Sequence, residues 1–304
     1  MSQPLSADTG EGPRGQYLDP ASLMRLGGLL IRARSVVEGA IAGMHRSPHR
    51  GSSVEFAEYK EYSPGDEIKH IDWKAFGRVD KYYVKQFEDE TNLICHLVLD
   101  GSGSMDFGSE GVTKLDYART LAASFSYFLL RQGDAVGALV FDDQPGLFLP
   151  PSSKSRHLDD VLQVLGSIPG SGRTDVAAAL RSLAERVRRR GMMMIFSDML
   201  DDAERVMNIA KVMRKRRQEV VVFHIIDPAE IDLPYEGLTI FEGLEGDGEL
   251  LVDPDDIRAQ YQQEFQGHID TIASQCLDGD IEYFRVSTTD PLEPVLLNFI
   301  AGRR

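Results

Sequence analysis

The sequence predicts an α/β protein built on a doubly wound, mostly parallel sheet. Apolar residues run without interruption through four segments, at Leu93–Leu99, Ala135–Phe141, Met192–Phe196 and Val220–Ile226. Runs that do not alternate with polar residues are typical of parallel strands covered on both faces. Helical patterns lie between and after these runs, at Asp116–Arg131, His157–Ile168, Asp175–Arg190 and Ala203–Arg217. Strands that alternate with helices indicate crossover connections and hence a Rossmann-type sheet.

The chain before the first apolar run has a different character. Residues 1–16 are rich in Gly, Pro and small polar residues, which is typical of a disordered tail. An amphipathic helix is predicted from about Asp19 to about Met44, and a β-rich segment of short strands and turns follows it to about residue 90. We therefore predict three parts: a tail over 1–16, an N-terminal helix with a small β-rich addition over 17–92, and the α/β domain over 93–304.

The end of the chain continues the α/β pattern. A hairpin is predicted around Glu245–Gly248, because Glu-Gly-Asp-Gly is a good turn sequence. A helix near Asp255–Cys276, a strand at Ile281–Val286 and a last helix from about Pro291 complete the predicted elements.

Composition narrows the function classes. The formal net charge of -15 argues against a nucleic-acid binder, since phosphate contacts need an excess of Lys and Arg. The basic runs Arg188–Arg190 and Lys211–Arg217 are interpreted as solvated helix ends. Cys95 and Cys276 both fall in apolar periodic segments, which favours reduced core cysteines. With no signal pattern and no uncharged stretch of about 20 apolar residues, we expect a cytoplasmic protein without a membrane span.

Oxygen-bearing side chains follow two of the predicted strands. Asp100, Ser102 and Ser104 occupy alternate positions of a glycine-containing loop directly after a buried strand, and Asp198 follows another strand. Thr174 stands where a helix begins. Ligands bind beyond the carboxyl ends of strands in open parallel sheets, so these residues are expected at one functional edge. Asp142, Asp143 and Asp227 also follow strands, and we interpret them as ordinary loop and capping residues.

These five residues resemble the metal-ion-dependent adhesion site of von Willebrand factor A domains. That motif is Asp-x-Ser-x-Ser with a distant Thr and a later Asp, and Asp100, Ser102, Ser104, Thr174 and Asp198 fill its positions in order. One departure is Met199, which stands where Gly is frequent. The resemblance implies a divalent metal, Mg²⁺ above all with Mn²⁺ or Ca²⁺ also open, held by hydroxyls and carboxylates. It also implies a protein partner that presents an Asp or Glu to the metal.

A second pattern lies upstream, over residues 43–90. It includes Tyr59-Lys60-x-Tyr62-x-Pro64-Gly65-Asp66, Ile71-Asp72-Trp73-Lys74 and Tyr83-Val84-Lys85-x-Phe87-Glu88. This segment resembles the bacterial family called domain of unknown function 58, in which it runs directly into a von Willebrand factor A-like domain. The resemblance implies an AAA+ ATPase partner of the MoxR type and a role in maturation or metal-centre insertion of a client protein.

Two hypotheses for the function follow, with a minor third. The first is a metal-dependent protein-binding adaptor without enzymatic activity. The alternative is a metal-assisted hydrolase of the phosphoesterase kind, in which an Asp at a strand end activates water. Against it, Ser102 occupies the second position of the Asp-x-Asp that phosphatases of the haloacid-dehalogenase type would need. Nucleic-acid binding through the basic helix ends is the third, and the overall charge disfavours it.

Overall fold

A computed structural model of the chain describes residues 18–46, 59–61, 83–85, 93–141, 147–154, 156–167, 176–187, 189–200, 203–244 and 248–303. It forms two compact units, one of Met1–Met44 with Leu93–Arg304 and one of His45–Asn92. In the smaller unit, strands β1 (Tyr59–Glu61) and β2 (Tyr83–Lys85) pair antiparallel. The turns and the Trp73 segment predicted there lie outside the described residues.

The larger unit is built on a six-stranded sheet of β3 (Ile94–Asp100), β4 (Ala135–Phe141), β5 (Leu147–Ser152), β6 (Gly191–Ser197), β7 (Gln218–Ile226) and β10 (Glu282–Ser287). The order of the strands across the sheet is β10-β7-β6-β3-β4-β5. All neighbours pair in parallel except β4 and β5, which are antiparallel. A separate antiparallel hairpin consists of β8 (Thr239–Glu242) and β9 (Glu249–Val252). The predicted fold class, a doubly wound and mostly parallel α/β sheet, is confirmed.

Helices connect these strands and cover both faces of the sheet. They are α1 (Pro20–Met24), α2 (Leu29–Arg46), α3 (Lys114–Arg131), α4 (His157–Leu165), α5 (Val176–Arg186), α6 (Ala203–Lys215), α7 (Pro228–Asp232), α8 (Pro254–Asp278) and α9 (Leu292–Ala301). Residues of α2, α3, α4 and α9 share one hydrophobic core with Leu97 and Leu99 of β3. Residues of α5, α6 and α8 share the other core with Val98. Successive strand residues thus face opposite cores, which explains the continuous apolar runs.

Three local features differ from the sequence prediction. The N-terminal helix is two helices, because the chain turns between Met24 and Leu29 and Gly28 adopts a φ of 70° there. The antiparallel edge strand β5 was not predicted, since its Leu-Phe-Leu-Pro-Pro-Ser sequence lacks a clear strand pattern. The short helix α7 was not predicted either.

The N-terminal helices pack into the larger unit. Leu23 of α1 and Ala33, Val36, Val37 and Ala40 of α2 are fully buried in the core that also contains α3. Our division of the chain at residues 16 and 92 stays a prediction. Cys95 and Cys276 are free and buried, as expected for reduced core cysteines.

Candidate metal centre

The predicted ligand residues of two neighbouring strands meet at the carboxyl edge of the sheet. Asp100 is the last residue of β3, and Asp198 directly follows β6. The register pairs Leu99 with Phe196, so the two strands end side by side. Both aspartates are buried, and the negative charge of Asp198 acts on Asp100. The structure therefore brings together two carboxylates that are 98 residues apart in sequence.

The loop after Asp100 folds its hydroxyl groups together. The backbone N–H of Ser102 donates to Asp100 Oδ1 at 3.0 Å, and the loop then enters a 3₁₀ turn over Ser104–Asp106. This geometry places Ser102 Oγ and Ser104 Oγ 3.0 Å apart. Ser102 is buried, and Ser104 is partly exposed. The alternate spacing of the motif thus produces a pair of adjacent hydroxyl oxygens beside a carboxylate.

Burial and nearby charges shift the pKa values of Asp100 and Asp198 in opposite directions. Burial, followed by the nearby charge of Asp198, raises the pKa of Asp100 to about 7, although hydrogen bonds from Ser197 and Ser102 act against the rise. The Ser197 hydroxyl donates to Asp100 Oδ2 at 2.7 Å. Burial also acts to raise the pKa of Asp198, but the Lys114 ammonium and a hydrogen bond from Ser104 outweigh it and lower that pKa. The pKa of Asp100 is therefore raised mainly by burial, and the pKa of Asp198 is lowered by the positive charge beside it.

The positive charge beside Asp198 comes from a buried lysine that the sequence analysis missed. Lys114, the first residue of α3, is fully buried and donates from Nζ to Asp198 Oδ2 at 2.7 Å and to Glu230 Oε1 at 2.5 Å. Burial acts to lower the pKa of Lys114, yet the two carboxylates hold it above its ordinary value. A Lys in the first helical turn opposes the helix dipole, and this is the signal that sequence reasoning had available.

Asp227 extends the hydrogen-bond network of Lys114 and Glu230 away from Asp100 and Ser102. Its side chain caps α7, in a capping box with Glu230, so the interpretation of Asp227 as a capping residue is confirmed. Asp227 also accepts hydrogen bonds from the hydroxyl and backbone N–H of Ser109 and from Thr288 Oγ1. Glu230 Oε2 in turn accepts from the Asp227 backbone N–H at 2.8 Å. The loop that follows Ser104 is therefore tied to the carboxyl end of β7.

The residue after Asp198 adopts the conformation that a glycine would supply. Met199 has a φ of 56°, in the left-handed region, and its side chain is buried in the second core. His268 Nε2 lies 2.9 Å from the Met199 carbonyl oxygen, and the Met199 N–H donates to Ser197 Oγ at 2.9 Å. Packing and hydrogen bonds thus hold the loop shape at Met199, the residue after Asp198, where Gly is frequent in the motif that this site resembles. Thr174, Asp142 and Asp143 lie outside the described residues.

The residues present fit a small, hard divalent cation. Such an ion prefers oxygen ligands, and the edge offers two adjacent hydroxyls between two buried carboxylates. The chemistry of this donor set suits magnesium better than zinc, which favours His and Cys. Metal ligation by Asp100, Ser102, Ser104, Thr174 and Asp198 stays a prediction.

One observation bears on membranes. Within the described ranges, no helix combines the length and the apolar character needed to cross a bilayer.

Comparison with known proteins places the chain among bacterial relatives. The family model described as Protein of unknown function DUF58 matches residues 58–271. Uncharacterized proteins of Mycobacterium tuberculosis (strain H37Rv) and Mycobacterium bovis are each 26% identical over 296 residues, covering 96% of this chain and 92% of theirs.

Similar solved structures include two from Bacteroides and one VWA domain. The conserved hypothetical protein BatB from Bacteroides thetaiotaomicron is 20% identical, with 69% of this chain and 98% of that one covered and a TM-score of 0.46. An aerotolerance-related membrane protein from Bacteroides fragilis is 20% identical, with 70% of this chain and 100% of that one covered and a TM-score of 0.47. The SpRpn10 VWA domain is 14% identical, with 67% of this chain and 93% of that one covered and a TM-score of 0.39. At these identities the likeness concerns the fold alone.

Proposed function

The chain belongs to the DUF58 family, and we propose that it is a metal-dependent protein-binding adaptor. The observation that carries the proposal is the pair of hydroxyls of Ser102 and Ser104, 3.0 Å apart beside the buried carboxylates of Asp100 and Asp198. We propose that these four residues, together with Thr174, hold the ion. Mg²⁺ is the metal best suited to this set, and Mn²⁺ or Ca²⁺ would bind the same oxygens.

The ligand types favour binding of an acidic partner. Hydroxyl oxygens are neutral, so an ion that they hold keeps much of its positive charge and attracts a carboxylate. Lys114 already neutralises part of the charge of Asp198 through the 2.7 Å ion pair. We propose that an Asp or Glu of another protein approaches the serine side of the site, where Ser104 is partly exposed.

The hydrogen bonds of the two carboxylates leave room for a metal ion. Asp100 accepts at its two oxygens from the Ser102 N–H and from the Ser197 hydroxyl. Asp198 accepts at Oδ1 from the Leu200 N–H and at Oδ2 from Lys114. An oxygen that accepts one hydrogen bond keeps a second lone pair. We prefer the adaptor over the metal-assisted hydrolase because Ser102 stands where a phosphatase of the haloacid-dehalogenase type would need a second Asp.

The identity of the partner comes from the family resemblance. We propose that the adaptor works with a MoxR-type AAA+ ATPase in the cytoplasm, in the maturation or assembly of a client protein. An ATPase supplies mechanical work, and a metal-dependent contact would let the adaptor hold a client or the ATPase itself reversibly.

Calorimetry with matched serine variants tests the proposal. Ser102→Ala should weaken Mg²⁺ binding at least about tenfold, since it removes a ligand hydroxyl. Ser126→Ala is the control, because Ser126 is equally buried but its hydroxyl donates within α3, to the Ala122 carbonyl at 2.9 Å. Asp100→Ala should abolish Mg²⁺ binding and, in a pull-down, capture of the co-expressed ATPase. Wild-type Mg²⁺ affinity in Ser102→Ala would overturn the metal site, and EDTA-insensitive capture would overturn metal dependence.

A further inference from the structure

The β8–β9 hairpin exposes an unusual amount of apolar surface. Five large aliphatic side chains in and beside it are between 52% and 72% exposed: Leu238, Ile240, Leu244, Leu250 and Leu251. Single exposed apolar residues are common on proteins, but several that lie side by side mark an interaction surface. Ile240 and Leu251 are such a pair, whereas Leu250 lies on the other face, opposite Phe241.

The pairing of the two strands sorts these residues by face. Ile240 stands directly opposite Leu251, and Glu242 stands opposite Glu249 on the same face. Facing carboxylates repel each other across an antiparallel pair. In the described part of the chain, no ion pair involves either glutamate. This face therefore combines an apolar pair with two uncompensated negative charges.

The charge around the hairpin has a single sign. Residues 232–257 contain nine acidic residues and no Lys, Arg or His: Asp232, Glu236, Glu242, Glu245, Asp247, Glu249, Asp253, Asp255 and Asp256. The one cation that reaches this stretch is Arg258 among the described ion pairs, and it contacts Asp255 near the start of α8. A ligand for this surface must therefore bring apolar groups and positive charge together.

The base of the hairpin is fixed to the rest of the unit. Arg258 donates from Nε to the Leu233 carbonyl at 3.1 Å and from Nη2 to the Tyr235 carbonyl at 2.7 Å. On the second face, the rings of Tyr235 and Phe241 pack edge to face with centroids 5.5 Å apart. The exposed face is thus presented on an anchored support, although a two-stranded sheet is marginal alone and gains from a further layer.

We infer that this hairpin docks a segment of another protein whose apolar side chains are flanked by Lys or Arg. The apolar pair Ile240 and Leu251 supplies contact area, and Glu242 with Glu249 selects a basic flank. The hairpin of a second copy carries the same negative charge and would be repelled. An anionic membrane surface is disfavoured for the same reason. The surface needs no metal, so binding to it does not depend on the proposed site at Asp100.

A random twelve-residue peptide library, selected on the full chain, tests the inference. The expected result is enrichment of sequences that join aliphatic residues to Lys or Arg. A synthetic peptide with an enriched sequence should bind the double variant Ile240→Ser/Leu251→Ser at least about tenfold more weakly than the wild type, as judged by fluorescence anisotropy. Leu277→Ser is the matched control, because Leu277 is also exposed but lies on α8. Glu242→Gln/Glu249→Gln should weaken binding and reduce its salt dependence.

Several outcomes would overturn the inference that this hairpin docks a basic and apolar segment. No enrichment, enrichment of acidic peptides, or equal binding by the serine double variant and wild type would overturn the inference. So would partition of the chain onto phosphatidylcholine vesicles, or a dimer in sedimentation that the double variant abolishes. EDTA and Ser102→Ala should leave peptide binding unchanged, so failure of the metal site and failure of the hairpin surface are distinguishable.

Discussion

Replacing Lys114 by Met tests the buried charge network in its most direct form. The change keeps an unbranched apolar side chain as far as Cε, with sulfur in place of one methylene, and removes the ammonium. In the native chain, that ammonium is fully buried and contacts Asp198 at 2.7 Å and Glu230 at 2.5 Å. Without the ammonium, the carboxylates of Asp198 and Glu230 stay in the interior. Neither has another cationic partner among the described contacts.

The size of the effect follows from burial. Removing one partner of a buried ion pair costs about 3–5 kcal/mol, because the other charge is left without compensation. We expect Lys114→Met to lose that amount of unfolding free energy. Glu230→Gln should lose less, about 1–2 kcal/mol, since the Lys114–Asp198 pair remains. In the double variant one stranded carboxylate is gone, so the total loss should be smaller than the sum of the two single losses.

Urea unfolding in EDTA at neutral pH measures all four proteins without a bound metal. The slope of the unfolding free energy against urea concentration should be the same in each protein, so that the midpoints of the unfolding transitions report stability. A loss below about 1 kcal/mol in Lys114→Met, or strictly additive losses, would refute the network as described.

Two further predictions concern stability. Burial lowers the pKa of His96 to about 4, below about 6.5 in an unfolded chain, so folded stability is full above pH 6.5 and falls as the pH drops toward 4. Between pH 7 and pH 5 this residue should cost about 2 kcal/mol, and His96→Leu should show a correspondingly flatter pH dependence in urea unfolding; an unchanged slope would contradict this. Gly191→Ala should destabilise by about 1–3 kcal/mol, because its Cβ would lie 2.4 Å from the Ile94 carbonyl oxygen. The control Gly267→Ala, in open space on α8, should stabilise by up to about 1 kcal/mol, and similar losses in both variants in thermal melts would count against the steric argument.

The sheet edge shows how far local patterns reach. Asp100, Ser102 and Ser104 are close in sequence, and their position at the end of an apolar run predicted that they lie at the carboxyl end of a strand, where Asp100 is the last residue of β3. The 3.0 Å approach of the two hydroxyls depends on the 3₁₀ turn, which the glycine-containing loop permits but does not specify. The left-handed conformation of Met199 is a further example, because no local rule assigns it to a methionine.

The sequence by itself determined the fold class and predicted that Asp100, Ser102, Ser104 and Asp198 lie at the carboxyl edge. Both follow from short-range regularities: the period of apolar residues, and side chains at alternate positions of one loop. Only the tertiary structure decided how the charges at that edge are compensated. Lys114 meets Asp198 and Glu230 across 84 and 116 residues, and such partners depend on how the first turn of α3 lies beside the residue after β6 and beside α7. The tertiary structure also leaves the acidic and apolar face of the β8–β9 hairpin exposed.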